Sequence, residues 1–219
     1  MKSKVFIIDD HELVRRGLRL LINGEIDMEV CGEAGTINEA KKMLEASLSH
    51  VPRDVAIVDI GLPDGSGLDL VKYLTKWQPS IKTIILSMYD NEIFAERAIN
   101  SGAKCYINKQ DSADMIIDCI RTLSNNNICV NSGIPERLLK NPSKKHQVSD
   151  YTGVSLLTNR ELQVYEYIGK GKDTKKIAKL LNLSIKTIET YRANIKQKFQ
   201  LQNTSELTHC AVLWVMENH

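Results

Sequence analysis

The stretch VAIVDIGLPDGSG (55–67) runs from an apolar segment into one carboxylate, Asp59, and then into a loop of turn residues. Comparable apolar segments end on Asp9 and Asp10 and on Ser87, and another stops just short of Lys109. Three carboxylates gathered at one place repel one another and call for a cation. A hard divalent ion such as Mg2+ takes carboxylate and carbonyl oxygens plus water, and Lys109 would add positive charge. Such a set suits phosphoryl transfer to a carboxylate. Metal and lysine neutralise the transferring oxygens, Ser87 donates a hydrogen bond to one of them, and Asp59 attacks phosphorus in line. Singly, each residue has a plainer use: Asp and Ser after a strand cap the next helix, and a loop lysine is solvated. The chemistry therefore depends on elements that bring all five together.

The first half supplies such elements. Short β-rich runs at 4–8, 28–34, 54–59, 82–87 and 103–108 alternate with stretches at 12–23, 37–49, 66–77, 91–101 and 111–124, where apolar residues recur at helical spacing. Five βα units in a row predict an α/β fold with a doubly wound five-stranded parallel sheet, because each return to a parallel strand needs a crossover. In such sheets ligands sit beyond the carboxyl ends of the strands, where strand order reverses. That edge is where the five residues fall.

Past Leu123 the pattern breaks. Residues 124–153 mix three consecutive asparagines, two prolines and small polar residues around one helical patch at Pro135–Lys140, and read as a linker. From Leu156 onward only helical segments follow, at 158–169, 174–181, 185–199 and 203–217. Thr158 with Glu161 three residues later forms a capping box, and Gly169 and Gly171 close that first helix. The expected organisation is 1–124, a linker at 125–152, and a small all-α domain at 153–219.

Charge separates the halves. Residues 1–124 hold 15 Lys+Arg against 19 Asp+Glu, a net of −4, while 125–219 hold 14 against 8, a net of +6. An acidic half joined to a basic one suggests a site-bearing part and a part that meets a polyanion. Ile177, Leu180 and Leu181, then a turn at Asn182–Leu183, then a basic helix after Ser184 give helix-turn-helix order; an ordinary small bundle with solvated lysines has the same pattern. No apolar run is long enough to cross a bilayer, so neither secretion nor a membrane anchor is expected, and a cytoplasmic location is. The five cysteines are widely spaced and read as reduced thiols. His11 lies beside the acids, but no soft ligand accompanies it, and a metal-binding role is not expected of it.

The segments VFIIDDHELVRRGLRLLI, VAIVDIGLPDGSGLDLV, TIILSMYDN and SGAKCYINK resemble, in order and spacing, the signature segments of two-component receiver domains of NarL/FixJ-type response regulators. The match spans the first half and implies a flavodoxin-like receiver. It implies Asp59 as phosphoacceptor, Asp9 and Asp10 as the acid pocket with Asp10 the more direct ligand of Mg2+, and the Gly61 carbonyl as another ligand. It further implies that Lys109 pairs with the acids and the phosphate. Ser87 and Tyr106 would be a switch pair, the hydroxyl drawn to the phosphate and the ring turning inward behind it. Cys105 stands where relatives commonly have Gly.

TNRELQVYEYIGKG, TKKIAKLLNLS and KTIETYRANIKQKF similarly resemble a LuxR-type DNA-binding domain over 153–219. On that resemblance Arg160 and Glu161 hold the bundle, and the helix at 185–199 enters the major groove of double-stranded DNA. Glu189, Thr190 and Ala193, with Asn194 nearby, would face bases. Lys175, Lys186, Thr187, Tyr191, Arg192, Lys196 and Lys198 belong to the same surface, all but Lys186 as phosphate contacts. Tyr191 replaces a frequent His, and Glu189 a Lys of several relatives. The last helix, with Leu207, Cys210, Ala211 and Trp214 on one side, serves core packing or dimerisation, the receiver being a further dimer surface.

The function implied is a two-component response regulator: a sensor histidine kinase or phosphotransfer protein phosphorylates Asp59, and a homodimer then binds promoter DNA. Two other readings stay open, a phosphorylation-independent DNA-binding regulator and an aspartyl-phosphate phosphohydrolase. Against the enzyme stands Gly61, at the position where such phosphatases place a general acid. Slow autodephosphorylation is the only activity expected.

Overall fold

The computed structural model describes residues 2–46, 54–89, 92–111, 113–125, 127 and 153–218. The chain divides into two compact units, Met1–Pro142 and Ser143–His219. The expected linker at 125–152, with its helical patch at 135–140, lies almost wholly outside the described residues.

In the first unit β1 (Ser3–Ile8), β2 (Met28–Ala34), β3 (Val55–Asp59), β6 (Lys82–Ser87) and β7 (Cys105–Asn108) form one parallel sheet in the order β2-β1-β3-β6-β7. A two-residue hairpin, β4 (Gly61–Leu62) with β5 (Gly65–Ser66), stands apart from it and is an element the sequence periodicity does not predict. The helices are α1 (Glu12–Asn23), α2 (Ile37–Ala46), α3 (Gly67–Trp77), α4 (Glu92–Asn100) and α5 (Ala113–Ser124). The chain leaves β1 to one side to form β2, then crosses back to place β3 on the other, so the strand order reverses between β1 and β3. Their register pairs Val5 with Val55 and Ile8 with Val58. Asp9 and Asp59 therefore emerge side by side at the switch point.

Strand alternation sends successive residues to opposite faces. Val5, Ile7, Ile57, Ile84, Leu86 and Ile107 pack with Leu18 and Ile22 of α1 and Ile116, Ile117 and Ile120 of α5. Phe6, Ile8, Val58 and Ile85 alternate with them and are equally buried. The two-sided core makes the strands near-continuous apolar runs, as burial on both faces requires. Cys31, Cys105 and Cys210 are not disulfide-bonded, as expected. Cys119, on the inner face of α5, is disulfide-bonded, which corrects the reading of all five as reduced: spacing along the chain does not reveal which thiols folding brings within reach.

The second unit is all helical: a 3-10 turn at Val154–Leu156, then α6 (Asn159–Gly169), α7 (Thr174–Leu180), α8 (Ile185–Lys198) and α9 (Thr204–Asn218). The capping box is present, Thr158 Oγ1 accepting from the Glu161 amide while Glu161 returns a carboxylate to the Thr158 amide. Asp173 and Ser184 cap α7 and α8 in the same manner. Tyr165 sits between Phe199 and Trp214, ring centroids 5.1 and 5.5 Å away. A Cβ on Gly169 would lie 2.3 Å from the Ala211 carbonyl oxygen, so only glycine lets α6 and α9 cross this closely. Between α7 and α8 the chain turns through Asn182 at φ 50°. The Leu183 amide closes that turn on the Ala178 carbonyl at 2.8 Å. Among the described residues no helix is long and apolar enough to cross a membrane.

Candidate functional site

The strand ends converge as expected. Asp9 (1% exposed) follows β1, Asp59 (6%) ends β3, Ser87 (0%) ends β6, and Lys109 follows β7. The Lys109 ammonium lies 2.7 Å from Asp9 Oδ2 and 3.1 Å from Asp59 Oδ2, and its amide donates to the Ser87 carbonyl at 2.7 Å. Burial pushes the Asp59 carboxyl up to about 6; Lys109 opposes the shift, Asp9 adds to it, and an N–H bond from Gly61 opposes it. Burial pulls Lys109 down, but the two carboxylates outweigh it and leave its pKa raised. The pocket thus holds one more buried carboxylate than its ammonium can neutralise.

Asp9 is divided between two partners: Oδ2 faces Lys109, while Oδ1 accepts the His11 amide at 2.8 Å and lies 3.3 Å from His11 Nδ1. Nδ1 also stands 2.7 Å from Asp10 Oδ1. One donor atom each from Asp9, Asp10, His11 and Asp59 lie within 4.8 Å of one another. Three carboxylate oxygens this close, with surplus negative charge, fit a divalent cation. His11, which the sequence reading leaves out of the ligand set, belongs to this group.

Two further residues hold the site without a local sequence signal. Arg15 on α1 donates to the Asp9 carbonyl at 2.6 Å and approaches Glu33 at 3.7 Å, so it fixes the backbone under the acid pair. Asp64 accepts the amides of Ile37 and Asn38 at 2.8 and 2.9 Å, tying the loop after Asp59 to the start of α2. Their remote partners, Glu33 and Ile37, lie 18 and 27 positions away, while the Asp9 carbonyl that Arg15 holds is six residues from it. Ser87 Oγ accepts the Tyr89 amide at 2.9 Å, and the Tyr106 hydroxyl donates to the Tyr89 carbonyl at 2.5 Å. The Tyr106 ring is buried, 4% exposed.

In the second unit Lys186, Glu189, Thr190 and Ala193 are all exposed. At spacings of three, one and three they form one stripe along α8, with Lys175 exposed on α7. Thr187, Tyr191, Arg192, Asn194 and Lys196 flank it, partly buried; burial lowers the Arg192 pKa. Lys198 is engaged inside the unit: its ammonium meets Glu161 Oε2 at 2.5 Å and the Leu156 carbonyl at 3.0 Å. A phosphate contact by Lys198 would have to break that pair. On α9 Leu207, Ala211 and Trp214 lie in the unit's own core, while Leu213 and Met216 are exposed.

Residues 5–121 match the response regulator receiver domain, and residues 155–211 match the bacterial regulatory proteins of the luxR family. The chain is 34% identical to the oxygen regulatory protein NreC of Staphylococcus epidermidis, over 95% of this chain and 96% of the relative. It is 35% identical to the transcriptional regulatory protein UhpA of Salmonella typhimurium, over 94% and 95%. Among solved structures, RcsB from Salmonella typhimurium, described in terms of conformational dynamism for DNA interaction, matches with a TM-score of 0.62 at 25% identity over 97% of this chain and 98% of that one. RcsB from Salmonella enterica serovar Typhimurium bound to a promoter in the presence of phosphomimetic BeF3− matches with a TM-score of 0.58 at 25% identity, over 96% and 98%. The chain belongs to the response regulators that join a receiver domain to a LuxR-type helix-turn-helix domain. It is a phosphorylation-linked, DNA-binding transcription regulator and not an enzyme beyond slow self-dephosphorylation.

Proposed function

We propose that Asp59 accepts a phosphoryl group from a sensor histidine kinase or phosphotransfer protein in the cytoplasm, and that the new charge alters promoter binding by a dimer of this chain. The observation that carries the reading is Lys109, whose one ammonium lies 2.7 Å from Asp9 and 3.1 Å from Asp59 at the carboxyl edge of the sheet. An Asp59 oxygen attacks phosphorus in line while the leaving group departs opposite, and Lys109 offsets charge on the transferring oxygens. Asp9, Asp10, Asp59 and the Gly61 carbonyl would hold Mg2+, which supplies further neutralisation of those oxygens. Gly61 offers no side-chain acid for turnover, which supports a phosphoryl group held as a signal.

Ser87 has one hydroxyl proton to give, since its oxygen already accepts from the Tyr89 amide. Donating that proton to a phosphoryl oxygen draws Ser87 toward the acid pocket. The shift passes through Tyr89 to the Tyr106 hydroxyl, which bonds the Tyr89 carbonyl. The readout surface is the α8 stripe, with Glu189, Thr190, Ala193 and Asn194 toward bases and Lys175, Lys186, Thr187, Tyr191, Arg192 and Lys196 around them. The charge of the basic half and the promoter-bound RcsB structure support this. Exposed Leu213 and Met216 on α9 are the apolar residues left for a dimer contact. Functional boundaries of 1–124, 125–152 and 153–219 accompany the reading.

Treatment with acetyl phosphate and Mg2+ should add one phosphoryl group, measured by intact mass, which Asp59→Ala cannot acquire, and footprinting should show tighter promoter protection by the adduct. No adduct with unchanged footprinting would favour the phosphorylation-independent regulator, and rapid turnover of a phosphate ester would favour the phosphohydrolase.

A further inference from the structure

His11 occupies the N-cap position of α1, at φ −84° and ψ 106°, yet its side chain makes no capping hydrogen bond. The ring faces the acids instead, Nδ1 lying 2.7 Å from Asp10 Oδ1 and 3.3 Å from Asp9 Oδ1. Divalent ions bind such atoms at about 2.0–2.4 Å, so two ligands of one ion stand at most about 4–5 Å apart. The four donor atoms of Asp9, Asp10, His11 and Asp59, all within 4.8 Å, meet that spacing. Lys109 takes Asp9 Oδ2, which leaves Oδ1 on the His11 side.

We propose that His11 Nδ1 is a ligand of the ion held by Asp9, Asp10 and Asp59, and that it tilts the site toward d-block divalent ions such as Mn2+ over Mg2+. The inference rests on the metal site in the functional reading above and deepens it. Mg2+ is hard, dehydrates reluctantly and favours all-oxygen surroundings. Imidazole nitrogen is a softer base that suits transition metals. A ring that only donated Nδ1–H to Asp10 and oriented it would support every ion alike, so the two roles of His11 differ in selectivity. The side chain is 63% exposed, so the ring can turn and an ion can reach it from solvent.

The test uses the full chain, with Mn2+ and Mg2+ as probes, as wild type and as His11→Asn, which keeps an N-cap residue and removes the ring. Pulsed EPR of bound Mn2+ should show nitrogen modulation in the wild type that disappears in the variant. Mn2+ affinity, read from the free-ion EPR signal, should fall on the order of tenfold, while Mg2+ affinity, read by competition, stays within about twofold. Bound Mn2+ without nitrogen modulation, or equal loss for both ions, overturns the His11 assignment and leaves the metal site standing. If neither ion binds, the inference falls together with the metal reading.

Discussion

The Tyr106 hydroxyl donates to the backbone carbonyl of Tyr89 at 2.5 Å, and the amide of the same residue donates to Ser87 Oγ at 2.9 Å. One residue of the β6–α4 loop is thus held at both ends, by the hydroxyl beside the acid pocket and by the ring behind it. Tyr89 also stacks on Phe94 with centroids 4.5 Å apart, which anchors the loop to α4. Tyr106→Phe keeps the ring and deletes the donor, leaving a buried carbonyl without that bond. It should cost about 1–3 kcal/mol in urea unfolding and reduce the difference in promoter affinity with and without acetyl phosphate. An unchanged difference would separate Tyr106 from the signal.

Asp59 makes metal-free stability depend on pH in an unusual direction. Its carboxyl titrates near 3.8 when unfolded and is pushed up to about 6 in the fold, so between those values the folded state binds the extra proton. Stability from this group is full below pH 4 and lost as pH rises through 6. Two units correspond to about 3 kcal/mol. In EDTA, urea titrations at pH 4.5 and 7.5 should show wild type losing about 2 kcal/mol relative to Asp59→Asn, since part of the effect is already gone by pH 4.5. Mg2+ at pH 7.5 should restore it, because a cation offsets the surplus charge.

Two glycines should respond to alanine with opposite signs. A Cβ on Gly67, at the start of α3, would lie 1.9 Å from the Asp59 carbonyl oxygen and 2.8 Å from its carbon, both backbone atoms that cannot yield cheaply. Gly67→Ala should lower stability by more than about 3 kcal/mol or prevent folding. A Cβ on Gly17, within α1, meets nothing within 4 Å, so Gly17→Ala should raise stability by about 1 kcal/mol. Thermal melts of the two variants decide it; a tolerated Gly67→Ala would refute the close pass of α3 beneath Asp59.

The site was legible where its residues end strands. Asp9, Asp10, Asp59, Ser87 and Lys109 each follow an apolar run, and parallel topology brings such ends to one edge whatever lies between them. The capping box was legible for a similar reason, since both members fall inside one turn. Arg15, Asp64 and Tyr89 left a weaker signal, because Glu33, Ile37 and Tyr106, which they also meet, are brought to them by packing of distant segments. The β4–β5 hairpin escaped for another reason: its two-residue strands are too short for period-two alternation to show. His11 was visible beside the acids, but sequence could not show that its ring forgoes the cap and turns toward them. The burial of the Tyr106 ring and its bond to the Tyr89 carbonyl likewise depend on packing that the sequence alone does not show.

Lys198 and Lys186 lie on the same helix, and removing each should affect a different property. The Lys198 ammonium meets Glu161 at 2.5 Å and the Leu156 carbonyl at 3.0 Å. Burial raises the Glu161 pKa, but Lys198 and Thr158 outweigh it, so the net shift is downward. A carboxylate lowered in the fold adds stability above its unfolded pKa and loses it as pH falls through the folded value. Lys198→Met should destabilise the helical unit by about 1–3 kcal/mol at pH 7, with a smaller cost near pH 4. It should leave the salt dependence of DNA binding almost unchanged. Lys186 is exposed on the α8 stripe and has no such role. Lys186→Ala should therefore leave the melting temperature within about a degree. If it contacts a phosphate, it should reduce the slope of log K against log salt by about one. A lost slope in the Lys198 variant, with stability intact, would reverse the two assignments and place Lys198 on the nucleic acid.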